Sequence, residues 1–153
     1  MKRQRKKKTG TLNSKKNTLG SHKKDSYKSS LERSCAKLLT EAGVPFTYEQ
    51  HEYLLVDKLR YEGVYWKMTP KKKLMIDKSN KTVLNIKYTP DFVGKNERWI
   101  IETKGFVRSA DFPMRWKLFL RHLLERGQPL PQLFICRNKS QILQAIEIIK
   151  NNG

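Results

Sequence analysis

Residues 98–105, RWIIETKG, constrain the fold more than any other stretch. Trp99, Ile100 and Ile101 make an apolar strand that nevertheless ends on Glu102 and Lys104. Strand side chains alternate between faces, so Glu102 and Lys104 share one face while Ile101 and Thr103 point to the other. Just upstream, KYTPDFVG at 87–94 reads as a second strand, and KNE at 95–97 as the tight turn between them. Pairing the two as a hairpin brings Asp91 toward Glu102. Two carboxylates converging at a sheet surface repel unless a proton or a cation sits between them.

An oxygen-rich pocket of this kind suits Mg²⁺, with Mn²⁺ as a substitute, and the Thr103 carbonyl is a plausible additional ligand. Such a metal polarises a scissile phosphate and acidifies a bound water. Lys104 would then hold the attacking water or balance the charge that develops on the phosphate. One more carboxylate would complete a second metal site about 3.5–4 Å from the first. Glu32 is the candidate, a polar position amid apolar neighbours on the first helix. Read blandly, the same acids and lysine are solvated cross-strand pairs.

The remaining elements follow from periodicity and caps. Ser29 or Ser30 caps a helix whose stripe is Leu31, Cys35, Leu38, Leu39 and Ala42, ended by Gly43 and Pro45. FTYEQHEYLLV at 46–56 reads as a strand. ADFPMRWKLFLRHLLERG at 110–127 is a helix with Pro113 in its first turn and Met114, Leu118, Phe119 and Leu123 inward. PQLFICR is a short buried strand, and SQILQAIEIIKNNG a closing amphipathic helix. The order is helix, three or more strands, helix, strand, helix. An α/β fold, a central mixed sheet flanked by helices, buries every stripe. Residues 57–86 are polar with scattered apolar positions, and fit either a hairpin-bearing insertion or an element that packs on a second subunit.

Charge separates the chain into two parts. Its 33 Lys and Arg against 14 Asp and Glu give a formal charge of +19. Residues 1–28 carry 11 Lys and Arg and one Asp, with almost no large apolar side chains, and are expected to be a disordered basic arm. Residues 29–153 are then a single domain. A polyanion partner offsets such repulsion. Expected phosphate contacts are Lys6, Lys7, Lys8, Lys15, Lys16, Lys23 and Lys24 of the arm, then Lys71, Lys72 and Lys73, with Arg108, Arg115 and Lys117. No apolar run reaches membrane-spanning length, and no secretion signal is evident, so no membrane partner is expected. Cys35 and Cys136 lie far apart within apolar patterns and read as reduced core residues.

With these residues in hand, YTPDF followed by IETKG resembles the signature of the PD-(D/E)xK nuclease superfamily, and specifically the phage endonuclease I family of junction-resolving enzymes. SSLERSCAKLLTEAGVPFTYEQ is similar to that family's helix-borne glutamate segment and places the glutamate at Glu32. The proline-aspartate pair falls on Pro90 and Asp91, and the glutamate-x-lysine on Glu102 and Lys104. The similarity covers residues 26–54 and 86–106. It implies a restriction-endonuclease-like core, catalytic Glu32, Asp91, Glu102 and Lys104, and a homodimer that cuts branched DNA such as four-way junctions with Mg²⁺. It also implies a cytoplasmic setting, in a phage-infected bacterium or associated with the nucleoid. The segment before Tyr88 is longer than in the compact phage enzymes. Competing readings are a linear-duplex nuclease of the same superfamily and a non-catalytic nucleic-acid-binding protein.

Overall fold

In the computed structural model, residues 27–69, 71, 74–105, 110–127 and 129–152 are described. The arm residues Lys6, Lys7, Lys8, Lys15, Lys16, Lys23 and Lys24 lie outside them, as do Lys72, Lys73 and Arg108. The folded part begins earlier than expected from composition. Tyr27 packs edge-on against Tyr48, with ring centroids 4.7 Å apart, and joins the core at the first helix.

Helix α1 spans Ser30–Glu41, with Ser29 as N-cap: its hydroxyl accepts the amide of Glu32. Gly43, at φ +70°, takes the left-handed conformation that ends the helix. The stretch read as one strand at 46–56 is two, β1 (Phe46–Tyr48) and β2 (Tyr53–Val56). Glu49, at φ 47°, breaks it, and its amide turns to donate to the carbonyl of Asp91. KYTPDFVG divides likewise into β7 (Ile86–Tyr88) and β8 (Phe92–Gly94) around the buried Pro90. Between β2 and β7 come β3 (Leu59–Arg60), β4 (Trp66–Met68), β5 (Met75–Asp77) and β6 (Thr82–Val83). They pair as nested rungs, β2 with β7, β3 with β6 and β4 with β5, so residues 57–86 do carry a hairpin.

The central sheet runs β1-β8-β9-β10, with β9 at Trp99–Thr103 and β10 at Gln132–Cys136. It is mixed: β8 is antiparallel to β1 and β9, whereas β10 is parallel to β9. The β9–β10 connection passes through α2 (Phe112–Glu125), as a parallel pair requires a crossover. α3 (Lys139–Asn151) closes the chain.

Strand alternation sends β8 and β9 side chains to two cores. Phe92, Trp99 and Ile101 pack with Cys35, Leu39, Ile142 and Ile146 under α1 and α3. Val93 and Ile100 pack with Tyr53, Tyr88, Phe119 and Leu123 under α2. The outcome is a mixed sheet with three helices and no closed barrel, helices covering both faces.

Two expectations need correction. Met114 is 67% exposed, because the inner stripe of α2 is Phe112, Trp116, Phe119 and Leu123. PQLFICR is an edge strand with only Cys136 fully buried, since it has a strand neighbour on one side alone. Cys35 and Cys136 are both buried and free. Burial pushes both thiols up, Cys136 to about 11, which keeps them protonated and poorly reactive. No helix among the described residues is long and apolar enough to cross a membrane.

Candidate functional site

Glu102 follows Ile100 on the α2 side of β9 and is only 3% exposed. A carboxylate so deep in a sheet needs partners, and it has two. Tyr88 Oη donates to Glu102 Oε2 at 2.7 Å, and Lys104 Nζ pairs with Oε1 at 2.6 Å. The Lys104 ammonium also lies 4.2 Å from the centroid of the Phe112 ring, so α2 sets where the lysine sits. The expected shared face of Glu102 and Lys104 is thus realised as a direct ion pair.

Asp91 stands at the entrance of β8, where the chain turns out of β7 through Pro90. Its Oδ2 accepts the backbone N–H of Thr103 at 2.7 Å and the Thr103 hydroxyl at 2.6 Å. The antiparallel register, Phe92 opposite Ile101, puts Asp91 opposite the end of β9 and so beside Glu102. Burial is the main force on Asp91, and the charge of Glu102 adds to it, with Glu32 contributing further. The Thr103 hydrogen bonds act the other way and lose: the carboxyl is pushed up to about 7. The repulsion inferred from the sequence is therefore present, and a proton on Asp91 relieves it.

Glu32 faces the same end of the sheet from α1 and is buried. Tyr48 Oη and the amide of Lys28 both donate to its Oε2. The Lys28 ammonium in turn reaches Glu49, whose hydrogen bond raises it, with smaller contributions from Glu32 and Asp91. Cationic density thus sits at the rim of an acidic centre.

Three side chains were not assigned a role from the sequence. Tyr88 and Tyr48 each hold one carboxylate, and burial raises both phenols, so they stay protonated donors. Phe112 positions Lys104. The only signal for the two tyrosines was proximity in sequence, Tyr88 within YTPDF and Tyr48 within PFTYEQ, and Phe112 had none.

Other expected site residues are not gathered here. Lys71 lies exposed on the long hairpin, between β4 and β5. Lys117 is exposed on α2, and Arg115 pairs with Asp111 at 3.2 Å. His51, which was not among the expected site residues, lies 3.6 Å from Glu97 beside the β8–β9 turn. A cavity of about 720 Å³ opens at that turn, lined by His51, Glu97, Arg126 and Leu130, at the opposite end of β8 from Asp91. Its position makes it unrelated to the acid cluster, despite its size.

The donor set bears on which cation the site fits. Among the described residues, no group of three or more His, Cys, Asp and Glu is arranged to hold a metal ion, so a Glu32-completed cage is not formed. Two carboxylates with no imidazole or thiolate remain, a hard set that matches Mg²⁺, which is bound through one or two carboxylates and otherwise keeps water and phosphate oxygens. Asp91 is raised first by burial and then by the charge of Glu102, and a divalent cation placed between the two carboxylates would offset both. Comparison with known proteins finds no matching family model, no matching curated protein and no matching solved structure.

Proposed function

We propose that the chain is a metal-dependent, structure-selective DNA endonuclease of the PD-(D/E)xK type, with a restriction-endonuclease-like core, acting as a homodimer on branched DNA such as four-way junctions. The observation that carries this reading is Asp91, raised to about 7 beside Glu102, with the Lys104 ammonium on the outer oxygen of that same glutamate. Acid, acid and amine at one strand end are economical for phosphodiester hydrolysis and costly for stability alone. The charge of +19 suits the polyanion that would carry the phosphate.

Asp91 and Glu102, with the Thr103 carbonyl, would hold Mg²⁺. Bound there, the ion supplies Lewis acidity toward the phosphate and lowers the pKa of water. Thr103 fixes the Asp91 carboxylate through Oδ2, and Tyr88 fixes Glu102 through Oε2. Lys104 keeps its ammonium at the mouth, partly exposed and braced by Phe112, where it faces an incoming phosphate or water. Glu32, tied to Tyr48, contributes field to Asp91 from across the sheet.

The test is cleavage of labelled four-way junction, nicked duplex and linear duplex in Mg²⁺, beside the Glu102→Ala variant. Paired cuts near the branch are expected from the parent, and binding without cuts from the variant. Equal cutting of all three substrates would leave a linear-duplex nuclease instead. Undiminished cutting by the variant would remove the site altogether.

A further inference from the structure

The hairpin at residues 57–87 presents an unusual surface. Among the described strands its outer rungs pair only with each other, and their large apolar side chains stay exposed. Cross-strand partners share a face of a ribbon. Met68 faces Met75 and Trp66 faces Asp77, so Trp66, Met68 and Met75, 51%, 60% and 58% exposed, lie together on one side with Asp77 at its inner edge. Lys67 and Ile76 occupy the other side. Nearer the base, Leu59 and Val83 form a second exposed apolar pair, with Arg60 next to them. Residues 57–87 carry nine Lys or Arg and three Asp or Glu, a net charge of +6.

We propose that this hairpin is a nucleic-acid-binding ribbon whose Trp66–Met68–Met75 face wedges against unstacked bases at a branch while its flanking lysines hold phosphates. Three considerations favour that occupant. A two-stranded ribbon is of a width that enters a DNA groove. Apolar side chains, methionine included, insert between base steps in proteins that open or kink a duplex, and aromatic rings stack on bases whatever their sequence. A second copy of the same surface would bring net +6 against net +6, which repels. The ribbon also grows directly from β7, whose last residue Tyr88 holds Glu102, so whatever it grips is led toward the acids. The inference extends the reading above by naming the part of the substrate that the ribbon takes, and it does not depend on strand cleavage.

The experiment uses the full chain in EDTA with a four-way DNA junction carrying 2-aminopurine at the branch. The parent is expected to raise the 2-aminopurine fluorescence as bases unstack. Trp66→Ala should weaken junction binding about tenfold and abolish the rise, with the salt dependence unchanged because no charge is lost. Lys67→Ala should keep the rise and reduce the salt slope by about one. Met75→Ser provides an independent disruption of the same face. Unchanged affinity and fluorescence in Trp66→Ala and Met75→Ser would overturn the proposal. So would a loss of dimer by light scattering, or of binding to phosphatidylserine vesicles, with DNA binding intact, since the face would then serve self-association or a membrane. A junction that is bound and unstacked but never cut in Mg²⁺ would remove the nuclease reading and leave the ribbon standing.

Discussion

Asp91→Asn is expected to stabilise the fold at pH 8 by about 1–3 kcal/mol while lowering cleavage about a thousandfold or more. The two effects have one cause. Asp91 titrates at about 7 in the fold against an ordinary value of 3.8, so folding favours its protonated form. The stability this contributes is fully present below about pH 4 and is lost as pH rises through about 7. The interval corresponds to at most about 4 kcal/mol, and partial access of solvent reduces it. Asparagine has no charge to desolvate, keeps an oxygen for the two Thr103 donors, and cannot serve as an anionic ligand. Urea denaturation of both proteins at pH 5 and pH 8 checks it: the advantage of the variant should shrink at pH 5, where Asp91 is itself neutral. Parent cleavage should rise between pH 6 and pH 8 as Asp91 loses its proton. A variant less stable than the parent at pH 8 would contradict the account of Asp91.

The second large effect concerns Lys104. Lys104→Met should cost about 2–4 kcal/mol at pH 8, because it strands the Glu102 carboxylate with the Tyr88 hydroxyl as its remaining bonded partner. The lysine side chain is 25% exposed, which lets solvent make up part of the loss and keeps the figure below that of a fully enclosed pair. Adding Glu102→Gln should recover most of it, since a neutral amide can still accept from Tyr88 and has no charge to neutralise. Denaturant midpoints for the parent, both single variants and the double variant give the coupling energy directly. A double variant no more stable than Lys104→Met alone would show that the lysine acts through packing on Phe112 rather than through charge.

Much of this centre was legible in the sequence because strand alternation is rigid. Glu102 and Lys104 had to share a face once RWIIETKG was a strand, and the KNE turn fixed which end of the preceding strand they met. The breaks were not legible. Glu49 has no turn-forming side chain, and its left-handed backbone is imposed by the hydrogen bond to Asp91. The stripe of α2 misled for a related reason: Met114 suits an inner face by apolarity, but the rings of Phe112, Trp116 and Phe119 pack in tilted contacts along the neighbouring one. Tyr88 and Tyr48 were not singled out, because their rings belong to the core and only their hydroxyls reach the carboxylates. The ribbon strands, two or three residues each, are too short for any period to declare itself.

The most direct measurement is anomalous diffraction from a crystal soaked in Mn²⁺ near neutral pH. A peak shared by Asp91 and Glu102, with the Lys104 ammonium moved off Oε1, is the expected result. An empty map there, with the lysine still on Glu102 and full Mn²⁺ occupancy elsewhere, would contradict a metal-dependent centre at this end of the sheet.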